Sequence, residues 1–257
     1  MGYDNMNKKT IALIMSVIVL WQLIALLMNM KTLPSPVSVA GRTVELIYPK
    51  PLLLLHVAES TKRLIIGYLI ALVLGLSVGI ISGLEGNLKK IINPLMGFMI
   101  SIPTIAWVPL LLILVGLGDK TIILAIFLGG FFPIAYNMQR GMEIVNLDLI
   151  RAAKIMGLKD IKCILHVYIP ASMPSVITGA RLGIGYSWRA LVGAEMLAAT
   201  EHGIGFMIYA SRAFQDVPAM FLGLIVIGVL SYVTDKILIT SVENKTIKKW
   251  GMVTQHG

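Results

Sequence analysis

The sequence predicts an all-α fold that crosses a lipid bilayer about six times, and three observations carry that expectation. First, 57% of the 257 residues are hydrophobic and only 14% charged, with a mean hydropathy of +0.84. Soluble domains run near ~45–50% apolar and ~25% charged, and a chain of this length has no soluble core large enough to hide the excess. Second, residues 11–28, 64–84, 91–117, 121–139 and 217–234 contain no charged residue. Each is close to the ~17–25 residues a helix needs to cross ~30 Å of hydrocarbon. A sixth stretch, 171–200, is long enough but carries Arg181, Arg189 and Glu195. Third, the basic residues fall mostly in short loops and tails between these runs. That placement, and the lack of a basic stripe with interleaved aromatics, argues against nucleic acid as the reason for the net charge of +9.

Taken in order, the segments read as follows. Lys8 and Lys9 precede the run 11–28, which is longer than a signal-peptide core and lacks a cleavage pattern, so a retained first span with its N-terminus inside is expected. The next segment holds Pro34, Pro36, Pro49 and Pro51 and then an apolar run 52–55. It is too broken to cross and is expected to lie along the outer surface. The second span carries Gly67, Gly75, Gly79 and Gly83, and the last three have the small-xxx-small spacing that lets membrane helices approach closely. The third contains Pro94, Pro103 and Pro109, each removing a helix hydrogen bond, so it should be kinked or discontinuous. With both ends inside, inner loops and tails hold Lys8, Lys9, Lys89, Lys90, Arg140, Arg151, Lys154, Lys159, Lys162, Lys245, Lys248 and Lys249. Outer ones hold Lys31, Arg42, Lys50, Lys62, Arg63, Lys120 and Arg212, the smaller share, as the positive-inside rule requires. Lys62 and Arg63 sit awkwardly before the second span and are expected at the outer headgroup level, with their stems in the interface. The chain reads as one membrane domain, 1–257: an N-terminal span and surface segment 1–62, a core 63–240 with an inner loop 140–170, and a cytoplasmic tail 241–257.

Cys163 is the only cysteine, so neither an intrachain disulfide nor a cysteine metal cage can form. His56, His166, His202 and His256 are scattered, and no phosphate-binding loop, H-E-x-x-H or G-x-S-x-G occurs.

Residues 143–174 are too polar to span and too regular to be a simple loop. Leu147, Ile150, Ala153, Ile155 and Leu158 recur at helical spacing, and Gly157 is a helix stop. A second short helix over 160–167 and the breakers Pro170 and Pro174 then lead back into the membrane. Ala152 and Ala153 leave a smooth patch on which another protein can dock; the alternative is an amphipathic helix resting on headgroups.

Arg151-Ala152-Ala153, three residues, Gly157, nine residues and then Val167-Tyr168-Ile169-Pro170 resembles the E-A-A-x3-G-x9-I-x-L-P loop of ATP-binding-cassette (ABC) importer permeases. Arg151 departs from the motif glutamate. The segments A-S-M-P at 171–174, Gly179-Ala180-Arg181, Ser187-Trp188-Arg189, V-G-A-E-M-L at 192–197 and Gly203-Ile204-Gly205 look like the branch that imports sulfonates, taurine, nitrate or bicarbonate, with vitamin-precursor importers among its relatives. The likeness covers roughly residues 50 to 240. It implies a type I ABC importer permease fold in a bacterial-type cytoplasmic (inner) membrane. It also implies a coupling helix formed by Arg151, Ala152, Ala153, Lys154 and Gly157, with Pro170 at the return to the membrane. The implied partners are two ATPase subunits that bind ATP and Mg²⁺, a second permease copy and an extracytoplasmic substrate-binding protein; no cofactor is implied in this chain.

The charged span sets its own condition. About nine large apolar side chains at roughly −0.3 to −0.6 kcal/mol each favour insertion by about 4 kcal/mol. Three central charges at about +2.5 to +3.5 kcal/mol each outweigh that, so the helix must lie inside the bundle or at a subunit interface. Arg181, Trp188 and Glu195 are seven apart and share a face, while Arg189 is rotated by about 100° from Trp188. Trp188, Arg189 and Glu195 are the candidates for the solute pathway or its gate; the alternative is an ion pair that fixes packing, including Glu195 with Arg189 across a dimer. Arg181 is expected to serve carbonyls at the inner end. His202, Gly203 and Gly205 lie just outside, as a binding-protein contact or a solvated loop. Arg189 hints at an anionic solute. A self-contained secondary transporter or channel, and a membrane scaffold, are the competing readings.

Overall fold

The computed structural model describes residues 2–28, 32–158 and 160–239. The expected tail 241–257 with Lys245, Lys248 and Lys249, and the loop residues Lys31 and Lys159, lie outside the described residues. In chain order the elements are α1 (Gly2–Met28), α2 (Pro36–Ile47), α3 (Leu52–Leu84), α4 (Gly86–Ser101), a 3₁₀ turn (Thr104–Trp107), α5 (Val108–Val115) and α6 (Asp119–Glu143). There follow α7 (Leu147–Ile155), α8 (Asp160–Cys163), a π turn (Ile164–Tyr168), α9 (Ile169–Ala198), α10 (Ile204–Ala213), α11 (Val217–Thr234) and a second π turn (Asp235–Ile239).

The core is the triplet α3, α6 and α9. Every fourth residue of α3 from Gly67 is small: Gly67, Ala71, Gly75, Gly79, Gly83. A Cβ on Gly79 would stand 2.5 Å from Met138 Cβ and 2.7 Å from the Ala135 carbonyl oxygen, and one on Gly83 would stand 2.6 Å from Met142 Cβ. The α6 backbone therefore rides directly on this stripe. Lipid tails supply no hydrophobic drive between helices, so the association rests on such close van der Waals contact. Ile122, Ile126, Ile134, Trp188 and Leu191 fill the space between the three.

Five helical stretches are long and apolar enough to cross a membrane: Thr10–Met28, Leu52–Leu84, Asp119–Glu143, Ile161–Ala198 and Val217–Ile237. The bent pair Gly86–Ser101 and Thr104–Val115 makes a sixth if counted as one span. Its 93° break at Pro103 is the discontinuity the prolines predict. Pro94 stays inside α4, and Pro109 occupies the first turn of α5, where a missing N–H leaves nothing unsatisfied.

Two expectations are corrected, and one further helix is added. Residues 52–55 do not lie along a surface. They form the first turn of α3, whose 33 residues extend about 50 Å, and Leu53 is buried with Val39, Ile204 and Ile208. Pro170 does not break the chain either. The Ile169 N–H reaches back to the Ile164 carbonyl in a widened π turn, so α8 runs through it into α9. Helix α10 had no apolar run of spanning length and was not expected. The Gly157 stop is present: Gly157 has φ +87°, and the N–H groups of Gly157 and Leu158 bond to the Lys154 and Ala153 carbonyls, a Schellman closure.

The glycine stripe yields a direct test. Gly79→Ala pushes a methyl against a backbone carbonyl that cannot yield and should cost about 1–3 kcal/mol, lowering the melting temperature of the detergent-purified protein. Gly97→Ala, with nothing within 4 Å of its Cβ position, is the control. Equal melting of the two variants would refute the packing account.

Candidate functional site

At the end of the bundle that carries α10, Glu195 near the last turn of α9 is fully buried. Arg63 Nη1 donates to its Oε1 at 2.9 Å, and Ser60 Oγ lies 2.8 and 2.9 Å from its two oxygens. The Gly205 N–H donates to Oε2 at 2.9 Å. Arg63 Nη1 also reaches the His202 carbonyl at 2.6 Å, and its Nε reaches Asp119 Oδ1 at 2.8 Å. The first three amides of α10 are orphan donors by helix geometry. Here each has an acceptor: Gly203 N–H to His56 Nδ1 at 3.0 Å, Ile204 N–H to Ser60 Oγ at 2.8 Å, and Gly205 N–H to Glu195. The first of these makes His56 Nδ1 an acceptor. Glycine is required at two places. A Cβ on Gly203, whose φ is +148°, would lie 2.6 Å from Glu195 Cδ, and one on Gly205 would lie 2.5 Å from the Val192 carbonyl oxygen.

Several expectations change here. Arg63 does not extend its stem along an outer surface: it is buried in the protein as the partner of Glu195. Lys62 pairs instead with Glu59 at 3.2 Å and stays exposed. Glu195 does not pair with Arg189 and does not reach an open cavity. Gly203 and Gly205 are buried against Glu195, with His202 half-buried and edge-on to His56. Sequence reasoning missed His56, Ser60, Arg63 and Asp119. The first three stand at i, i+4 and i+7 of one helix face, a polar row in an apolar helix that would have marked them.

Arg189 projects from the other side of α9. It is exposed, with its guanidinium carbon 5.3 Å from the centre of the Tyr186 ring. Around it opens a groove of about 510 Å³, lined by Ile105, Gly185, Trp188, Gly193 and Ser231 among others. The broken span forms one wall and α11 the other. Ile105, from the 3₁₀ turn after the break, fills the space a side chain on Gly193 would take, at 2.9 Å. Trp188 is buried at 4% exposure, and its Nε1–H has no hydrogen-bond partner among the described residues. It shares its interior face with the core. Arg181 pairs through its Nε with Asp235 at 3.3 Å. An exposed guanidinium in a spanning helix costs about 2.5–3.5 kcal/mol against lipid on the insertion scale, so this face belongs to water or to another protein surface.

At the opposite end, α7 is capped by Asn146, whose Oδ1 accepts from the Asp148 N–H at 2.8 Å. Ile150 and Ala153 face inward onto Val145 and Cys163. Arg151, Ala152, Lys154 and Gly157 are exposed, as are Leu147, Ile155 (87%) and Met156 (75%). The two alanines therefore do not form one patch. Only Ala152 faces out, because adjacent helical residues point about 100° apart, and the outward surface is the apolar set beside it. Arg151, in the place of the motif glutamate, pairs with Asp148 at 3.2 Å in full exposure, a contact of little energetic weight. Pro170 lies within the continuous helix. Beside α7, half-hidden Glu143 accepts from Lys89 at 3.1 Å and Gln139 at 3.1 Å, and Gln139 in turn accepts from Ser82 at 3.2 Å, tying α3, α4 and α6 together. Among the described residues no cluster of His, Cys, Asp and Glu is placed to hold a metal.

A helical membrane bundle with a broken span, a groove holding one arginine along its central helix and a short capped helix at one end is the architecture of a membrane transport subunit, and the chain's relatives agree. The chain belongs to the family of binding-protein-dependent transport system inner membrane components, whose model matches residues 67–245. It is 31% identical over 234 residues to the bicarbonate transport system permease protein of Synechococcus elongatus, covering 87% of this chain and 84% of that one. It is 32% identical over 180 residues to the taurine transport system permease protein of Escherichia coli K12, covering 70% of this chain and 65% of that one. The fold matches an inward-facing structure of the MetNI methionine ABC transporter with a TM-score of 0.62 at 20% identity, covering 78% of this chain and 96% of the other. This chain is thus the permease subunit of an ABC importer, which sets aside the self-contained transporter and scaffold readings.

Removing one member of a buried ion pair strands the other, at about 3–5 kcal/mol. Glu195→Ala and Arg63→Ala should each lower thermal stability strongly. The double variant should lose clearly less than their sum. Additive losses in a melting series would mean that the pair is not the coupled unit described.

Proposed function

We propose that the α7 end of this permease faces the cytoplasm and seats on an ATPase subunit, and that the α10 end receives a substrate-binding protein. Two copies of the chain, each working as a single permease domain, and two ATPase subunits form the complex in the cytoplasmic (inner) membrane, with both chain termini on the ATPase side. ATP and Mg²⁺ belong to the ATPase. The observation that carries this reading is the construction of α7. A nine-residue helix is locked by a cap, a Schellman closure and two inward side chains, yet it holds Leu147, Ile155 and Met156 out into solvent. Rigid and short, with apolar side chains exposed among charged ones, it suits a socket in another protein, and Lys89, Lys90, Arg140, Arg151, Lys154 and Lys162 fall in the segments assigned to this end, as an inner face requires.

Mechanically, α7 lies between α6 and α9 in the chain, and those two helices pack along their length. Movement of α7 with the closing ATPases is passed to α9, whose groove opens alternately to the two sides. Taurine and bicarbonate both carry an oxyanion group, so the solute class that the relatives' names support is a small oxyanion.

Ile155→Glu with Met156→Glu tests the docking surface, because neither side chain contributes to the fold. Co-purification of the ATPase in mild detergent should be lost while the melting temperature of the permease is unchanged. Undiminished co-purification overturns the assignment. Gly157 is a poorer probe, since any side chain at φ +87° strains the backbone directly.

A further inference from the structure

Among the described residues no carboxylate pairs with Arg189. Glu195 is enclosed by Arg63, Ser60 and the start of α10, and Asp235 is taken by Arg181. The fold thus strips the central helix of acceptors on its groove side and leaves one cation there. Arg189 is steadied by the Tyr186 ring and not by an anion, which orients the planar guanidinium while its N–H fork stays available. The remaining polar group on the groove wall is the Ser231 hydroxyl, since the Trp188 indole N–H is buried. Everything else on the wall is apolar or glycine, including Gly185, Gly193 and Gly228. A single positive charge on an otherwise mostly apolar wall attracts an anion, leaves it room to slide and repels a cation.

We propose that this groove is a transit site for small oxyanions in the membrane, with Arg189 as the anion anchor and Ser231 as an auxiliary donor. The permease then selects by charge on its own, after the binding protein has released its cargo. The inference rests on the reading of the groove as the solute pathway and deepens it to a ligand class and named residues. One anchoring charge in an open groove of about 510 Å³ binds weakly, and weak binding is what passage demands: favourable enough to enter, loose enough to leave.

The test needs no knowledge of the natural solute. In a Cys163→Ala background, Ser231→Cys places a thiol on the groove wall. Gly228→Cys is a second reporter, with nothing within 4 Å of its Cβ position. The complex with its ATPase, in lipid nanodiscs, is reacted with anionic sulfonatoethyl and cationic trimethylammonioethyl methanethiosulfonate, and the rates are normalised to those with a free thiol. With Arg189 present the anionic reagent should be favoured by about tenfold. Arg189→Gln should abolish the preference and Arg189→Lys should keep it. A preference unchanged by Arg189→Gln overturns the proposal. So does failure of both reporters to react with either reagent, since the groove would then hold no water. ATPase co-purification is read separately, so a failed anion site and a failed importer assignment give different results.

Discussion

Arg63 and Glu195 are 132 residues apart in the chain and 2.9 Å apart in space. Neither charge tolerates its depth alone, and desolvation of such a pair is repaid only when the remaining donors and acceptors are also satisfied. Here they are, by Ser60, Asp119, the His202 carbonyl and the Gly205 amide. The consequence is geometric. Helices α3 and α9, the start of α6 and the start of α10 meet at one point, and each supplies a group the others cannot do without. The tight turn at Gly203 and the close seat of Gly205 follow from the need to bring the α10 amides onto the carboxylate.

From that knot the bundle runs as a close-packed unit. The small-residue row of α3 sets its distance from α6, and the Ser82–Gln139–Glu143–Lys89 chain closes the far end. Between two polar knots lies an apolar interior without slack, so displacement at one end is carried along the helices and not absorbed. Helix α7 sits at the end of that lever, covalently between α6 and α9, and its own rigidity comes from caps and two buried side chains.

Charge placement on α9 follows a division of labour. Glu195 is enclosed by Arg63, Arg181 is paired at the other end, and Arg189 between them has no counter-ion among the described residues, on an open face beside the broken span. That break is a local consequence of Pro103, yet it brings Ile105 over Gly193, so the groove and the break belong to the same device.

Local sequence was enough for whatever depends on composition, period or backbone chemistry: the apolar spans, the break at Pro103, the close-approach glycines of α3, the stop at Gly157 and the motif spacing that marks the family. Each is encoded within a few neighbouring residues. Tertiary structure alone decided the partner of Glu195, the burial of Arg63, Gly203 and Gly205, the inward turn of Ala153 and the exposure of Arg189 on the groove. A charge in an apolar helix announces that it must be neutralised or wetted, but not by what. The choice among Arg63, Arg189 and Arg181 depends on helix rotation and depth, which are set by packing against α3 and α6. The unbroken passage through Pro170 and the existence of α10 were hidden for the same reason: a π turn and a ten-residue helix are stabilised by what they touch, and contacts across the bundle leave no periodic trace in the sequence.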